Sequence, residues 1–254
     1  MRREARVMTH PAAASAATGD RDAYENWHAR LGVDAAVDTP WHRQLRARLD
    51  QAEVPLRGRV LEIGAGRGGF AVWLAARPGV SRVVAADFSG VGVRMGRAHA
   101  VQHGITSLDW TVADIQSVPF ASGVFDAAFS CETIEHVPSP ATGLKELCRI
   151  LRPGGRLYLT CPSYLGLIGA YRLYLRLRGR PFTEEGQPIN RFLLLPVTLA
   201  MVRSAGFRID WFGSTGHYLP WPGAPPRDLG DLRPAWLVRW FGLHSCIIAT
   251  KPAH

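Results

Sequence analysis

The chain has 254 residues, 47% of them hydrophobic, and its 30 Lys and Arg against 21 Asp and Glu leave a formal net charge of +9. That length and composition support a folded α/β domain with insertions and exclude a chain too polar to bury a core. No apolar run approaches the roughly 20 residues of a bilayer span, and the N-terminus lacks the apolar core of a secretory signal, so a cytoplasmic setting is expected. The positive excess is mostly arginine spread along the chain, without the dense basic stripe and interleaved aromatics of a nucleic-acid surface. The composition therefore argues against nucleic acid as a partner. Cys131, Cys148, Cys161 and Cys246 stand singly in apolar surroundings, with no metal-finger spacing, and read as reduced core thiols.

Residues 1–20 are alanine-rich and aperiodic, and read as a disordered leader ahead of a single domain spanning 21–254. Two short helical patterns follow, Asp22–Leu31 and Trp41–Gln51. They carry Tyr24, Trp27, His28, Trp41, His42 and Arg43. Aromatics at helical spacing usually pack a core, yet helices just before a first strand can also fold over its ligand crevice. From Arg59 onward strands and helices alternate. Strands are predicted at Val60–Ile63, Arg82–Ala86, Leu108–Val112, Phe125–Phe129 and Arg156–Thr160, with helices at Gly69–Ala76, Gly90–His103 and Ala141–Leu151. The alternation predicts a doubly wound, mostly parallel α/β sheet covered on both faces. After Cys161 the pattern breaks. An aromatic, arginine-bearing insertion runs from Ser163 to Arg180, followed by a polar loop and a helix over Phe192–Ala205 that Pro196 must begin or kink. Gly206–Phe212 and Ser245–Thr250 read as strands, and the Pro/Gly/Trp-rich stretch Gly213–Pro234 as an irregular loop. Residues 55–161 are thus expected to form a cofactor-binding core and 162–240 a substrate cap.

The organising stretch is Val60-Leu61-Glu62-Ile63-Gly64-Ala65-Gly66-Arg67-Gly68-Gly69, an apolar strand running into closely spaced glycines. Glycines there let a cofactor approach the backbone. The spacing also fits a dinucleotide fingerprint, but a carboxylate at Glu62 would repel a pyrophosphate arriving at the helix N-terminus. It suits a cationic ligand instead, such as the ammonium and sulfonium of S-adenosylmethionine. Asp87, closing the second strand, can accept both hydroxyls of a ribose. Asp114, closing the third, can accept an adenine amino group.

Two further tracts narrow the reading: Phe125 to Val137, containing Glu132-Thr133-Ile134-Glu135-His136, and Leu147 to Leu157, containing Arg152-Pro153-Gly154-Gly155. With these the chain resembles the class I S-adenosylmethionine-dependent methyltransferases over about residues 40–160. Within that class, Glu132-x-x-Glu135-His136-Val137-Pro138, Pro153-Gly154-Gly155, Ser163-Tyr164-Leu165 and Trp41-His42-Arg43 resemble the ubiquinone-biosynthesis O-methyltransferases, which methylate a phenolic hydroxyl on a polyprenylated ring. The resemblance implies a seven-stranded Rossmann-like sheet with a helical cap, and methyl transfer to a hydroxyl of a small acceptor. It implies a cofactor lined by Arg43, Gly64, Asp87 and Cys131. Glu62, Ala65, Gly66, Phe88, Asp114 and Ile115 complete the expected contacts. Residues 180–254 match this family loosely. C- or N-methylation of a secondary metabolite stays open, as do, more remotely, an NAD-dependent oxidoreductase and a non-catalytic scaffold.

If Glu132, Glu135 and His136 lie on a helix, they share a face and could hold a divalent cation, Mg²⁺ being the choice of an oxygen-rich site; the resembling family associates this triplet with a metal. Otherwise His136 packs under the cofactor and the glutamates meet solvent, or His136 is the general base that removes the hydroxyl proton. In the insertion, Arg172, Arg176 and Arg180 recur at four-residue spacing among leucines and tyrosines. Such a helix could lie on an anionic membrane surface or cover a greasy substrate pocket, or simply pack on the sheet with its arginines in water.

Overall fold

The computed structural model describes residues 21–179, 189–221, 224–230, 232 and 235–253. The first helix, α1, covers residues 21–29. It is followed by α2 (Pro40–Asp50), β1 (Gly58–Ile63), α3 (Gly69–Ala75), β2 (Val80–Asp87), α4 (Gly90–Gln102), β3 (Leu108–Val112) and β4 (Phe125–Cys131). Then come a single 3₁₀ turn (Ile134–His136), α5 (Pro140–Ile150) and β5 (Leu151–Pro162). The C-terminal part adds α6 (Leu167–Leu177), α7 (Leu195–Ser204), β6 (Arg208–Thr215), β7 (Tyr218–Trp221), β8 (Ala224–Asp228), α8 (Ala235–Val238) and β9 (His244–Thr250).

Seven strands form one sheet in the order β3-β2-β1-β4-β5-β9-β6. The first five are mutually parallel, and β9 runs antiparallel between β5 and β6. Strand alternation sends Leu61 and Ile63 of β1 into the core shared with Leu144 and Leu147 of α5, and Val60 into the core shared with Leu45 of α2 and Leu74 of α3. Both faces are therefore dry, as a parallel sheet requires. Chain order reverses between β1 and β4. The carboxyl ends of strands around such a point are where open α/β sheets bind ligands.

Two expected elements differ. β5 begins five residues before Arg156, because the strand continues through Pro153-Gly154-Gly155 as an irregularity in its pairing with β4, with Gly154 at φ +78°. The stretch expected to be an irregular loop instead extends β6 to Thr215 and then forms the two-stranded β7–β8 ribbon. Prolines are compatible with such a ribbon because every strand in it is an edge. Pro196 sits in the first turn of α7, where its missing N–H costs nothing. The expected leader at 1–20 lies outside the described residues, as does the polar loop expected over Thr183–Asn190 apart from its last two residues. All four cysteines are free thiols, three of them buried.

Candidate active site

A cavity of about 320 Å³ opens at the carboxyl ends of β1, β2, β3 and β4. Its floor is the glycine turn. Gly64 has φ +78°, and a Cβ there would lie 2.0 Å from Thr133 Oγ1, so no side chain is tolerated. Asp87 fixes the next glycine: its Oδ2 accepts the Gly66 N–H at 2.7 Å and its Oδ1 the Ser89 N–H at 2.8 Å. Each carboxylate oxygen keeps a second lone pair for a ligand hydroxyl.

Glu62 lines the cavity at 3% exposure, and its Oε2 has no hydrogen-bond partner among the described residues. Burial, and then the neighbouring Asp87 carboxylate, push its pKa well above the usual range. A buried carboxyl oxygen without a donor is an incomplete arrangement. A ligand ammonium would donate to it, and a nearby sulfonium would balance its charge, so the residues present fit S-adenosylmethionine. At the opposite end the cavity is lined by Phe88, Ala113, Asp114, Ile115 and Gln116. Asp114 there accepts the Gln116 N–H at 2.8 Å. Ala65, Gly66 and Cys131 also face the cavity, and burial followed by Glu62 raises the Cys131 thiol far above its ordinary value, keeping it protonated.

Arg43 is the exception among the expected cofactor contacts. Its half-exposed guanidinium lies outside the cavity lining and donates to the Asp38 carbonyl at 2.6 Å.

The Glu132–Glu135–His136 triplet does not form a shared helical face. Glu132 sits at φ +49° and precedes the 3₁₀ turn, and its Oε2 pairs with His244 Nδ1 at 2.8 Å. Glu135 is fully buried beside His136, with Oε1 3.4 Å from Nε2. Among the described residues no group of three His, Cys, Asp or Glu is placed to hold a metal ion, so the expected Mg²⁺ is without support in this arrangement. The solvent-facing alternative for the glutamates fails as well, since Glu135 is sequestered and Glu132 is paired. His136 lines the cavity and its Nδ1 lies 2.7 Å from the Ile189 carbonyl. A carbonyl can only accept, so a hydrogen sits on Nδ1, and Nε2 is the ring nitrogen beside Glu135.

Helices α1 and α2 contribute more to this site than aromatic packing. Tyr24, Trp27, His28, Trp41 and His42 all line the cavity. Burial holds His42 at a pKa of about 4, so it is neutral at physiological pH. The sequence signals for these residues were aromatics at helical spacing ahead of the first strand and, for Trp41 and His42, the resemblance of the Trp41-His42-Arg43 tract.

Fold and cavity together define a class I, Rossmann-like S-adenosylmethionine-dependent methyltransferase architecture. Residues 61–159 match the family described as a methyltransferase domain. The chain is 31% identical over 143 residues to a ubiquinone/menaquinone biosynthesis C-methyltransferase of Geotalea daltonii, covering 54% of this chain and 60% of that protein. It is 34% identical over 125 residues to a ubiquinone biosynthesis O-methyltransferase of Xanthomonas oryzae, covering 48% and 51%. A demethylmenaquinone methyltransferase of Clavibacter sepedonicus is 36% identical over 158 residues, covering 61% and 60%. Residues 61–159 thus match a methyltransferase domain, the chain is similar to the quinone-biosynthesis methyltransferases, and its matches span roughly half to three-fifths of those relatives. Among solved structures, the complex between the Haloferax volcanii Trm112 methyltransferase activator and the putative methyltransferase gives a TM-score of 0.66 at 22% identity, covering 92% of this chain and 98% of that one. The [4+2]-cyclase SpnF gives 0.60 at 20% identity, covering 84% and 81%. These two likenesses establish the fold alone; a cyclase among them shows that the fold does not dictate the reaction.

Proposed function

We propose that this protein transfers a methyl group from S-adenosylmethionine to a hydroxyl oxygen of a small acceptor, phenolic or lipid-tailed. The observation that carries the cofactor assignment is the buried Glu62 carboxyl, its Oε2 without a donor among the described residues, beside a glycine turn that Asp87 pins from the adjacent strand. Bound there, the cofactor supplies a methyl already activated on a sulfonium. The protein's work is then to align the acceptor and to take its proton. Glu62 meets the cationic end, Asp87 the ribose, and Asp114 with Phe88 and Ile115 the adenine. His136 is the proposed general base, its Nδ1–H held by Ile189 and its Nε2, beside the Glu135 carboxyl, the nitrogen that receives the proton. The test is S-adenosylhomocysteine release on phenolic, polyprenyl-phenolic and glycosylated acceptors, with the methylated atom located by mass spectrometry and NMR.

Carbon methylation is the second reading, and the likeness to the Geotalea daltonii C-methyltransferase favours it. Methylation at ring carbon in that product analysis would select it over oxygen.

A lipid-tailed acceptor implies contact with a membrane surface. No described helix is long and apolar enough to cross a membrane. α6 exposes Leu167, Leu173, Tyr174 and Leu177, with Arg176 and Arg178 also exposed. Arg172, expected to share the basic stripe, is buried at 8% with its guanidinium over the Tyr164 ring. Arg180 lies outside the described residues. The proposed interfacial cations are therefore Arg176 and Arg178.

A further inference from the structure

Helix α1 is joined to the rest of the protein by polar contacts at both ends of the cavity. Glu25 carries the densest of them. Its Oε1 accepts the Gly90 N–H at 2.7 Å, and its Oε2 accepts the Val91 N–H at 2.6 Å and the Ser89 hydroxyl at 2.7 Å. All three donors belong to the N-cap and first turn of α4, where backbone N–H groups have no partner within their own helix. One residue earlier, the Tyr24 hydroxyl donates to the His136 carbonyl at 3.2 Å. Three residues later, His28 fills the notch between the glycine turn and α4. It is 5% exposed, and its ring lies close enough to Gly66 that a Cβ there would stand 3.2 Å from Cε1. Arg67 can only donate, and its Nη1 is 3.1 Å from His28 Nδ1, so the imidazole hydrogen sits on Nε2, 3.8 Å from Asp87 Oδ1.

We infer that Glu25 is a positioning residue: it latches α1 onto the first turn of α4 and so holds His28 over the Asp87 end of the cofactor site and Tyr24 over the His136 end. This rests on the cofactor reading above. With His28 seated over that end, release past Asp87 is coupled in this proposal to α1 swinging away, so breaking the Glu25 latch sets the rate at which spent cofactor is released. The charge on Glu25 suits the place it grips, the positive end of the α4 dipole. Burial alone would raise the Glu25 pKa, but the Ser89, Val91 and Gly90 hydrogen bonds and the nearby Arg94 hold it below the usual carboxylate range.

Two measurements on the full chain test the latch. Trp27 lines the cavity from α1, so stopped-flow tryptophan fluorescence can follow dissociation of S-adenosylhomocysteine. Glu25→Ala is expected to speed that dissociation by at least about tenfold without slowing association, and Glu25→Gln, which keeps one neutral acceptor oxygen, to fall between. Native-state hydrogen exchange on the cofactor-free protein reads the latch itself. The Gly90 and Val91 amides should be protected in the wild type and lose protection selectively in Glu25→Ala, with the sheet amides unchanged. Dissociation within about twofold of wild type, in a variant whose Gly90 and Val91 amides have become exposed, overturns the gating role. Unprotected Gly90 and Val91 amides in the wild type overturn the latch. A wild type that fails to bind S-adenosylhomocysteine overturns the cofactor reading instead, and the exchange measurement still decides the latch.

Discussion

Asp87 accepts the backbone N–H of Gly66 at 2.7 Å, so the residue expected to grip the cofactor ribose is also the staple of the turn beneath it. The two roles share one carboxylate. Asp87→Ala strips the Gly66 and Ser89 amides of their acceptor as well as removing the ribose contact. The variant should lose about 1–3 kcal/mol of stability and bind S-adenosylhomocysteine about a hundredfold more weakly or worse. Thermal denaturation and titration calorimetry measure the two effects separately. Unchanged affinity would remove Asp87 from the site.

Gly66→Val perturbs both the turn and the ligand. A Cβ at Gly66 meets only the His28 ring within 4 Å, at 3.2 Å, and a β-branched residue is strained at φ +51°. Thermal stability should fall, and cofactor binding should be lost even where circular dichroism shows the protein still folded. Retained binding would mean that the ligand does not run along this turn.

Much of the sheet was readable because buried parallel strands announce themselves as apolar runs between helical stretches, and Leu108–Val112 coincides with β3. The β7–β8 ribbon was not, since Pro225 and Pro226 argue against a strand and only a two-edged ribbon accommodates them. Glu62, Asp87 and Asp114 were legible because strand ends converge on one edge of such a sheet. The pairing of Glu132 with His244 was not, because 112 residues separate them and only the antiparallel insertion of β9 beside β5 brings His244 to that edge. Helical spacing placed Arg172 on a line with Arg176, but spacing cannot say which side of a helix its neighbours cover. Arg43 was assigned by likeness, and in this chain the Asp38 carbonyl claims it.

The placement of Glu132 and Glu135 predicts that His136 works without a metal. His136→Ala should lower turnover by about 10²–10⁴-fold, while dialysis against EDTA leaves turnover unchanged. Loss of turnover on chelation, restored by Mg²⁺, would contradict this.

α6 predicts reversible binding to anionic vesicles. Sedimentation should weaken as salt rises, and Arg176→Glu with Arg178→Glu should weaken it further, each arginine adding about 1 kcal/mol at an anionic surface. The same double variant should bind S-adenosylhomocysteine normally. A wild type that ignores vesicles at low salt would favour a soluble acceptor.

Glu62 predicts a proton signature. Its folded pKa is raised, so between the ordinary carboxylate range and that raised value the folded state holds a proton that the unfolded chain has shed. The contribution of Glu62 to the stability of the cofactor-free protein is therefore fully present below the ordinary pKa and is lost as pH rises through this window. A ligand ammonium beside Glu62 pulls the pKa down and expels the proton. Calorimetry in buffers of differing ionisation enthalpy should show proton release on binding S-adenosylhomocysteine, abolished in Glu62→Gln.

The most direct test of a cationic-cofactor site is one calorimetric titration of the wild-type protein with S-adenosylmethionine and, separately, with NADH. A buried carboxyl at the strand tip predicts saturable binding of S-adenosylmethionine and none of NADH, because the pyrophosphate would have to approach Glu62 and Asp87 together. Binding of NADH in place of S-adenosylmethionine would contradict the assignment outright.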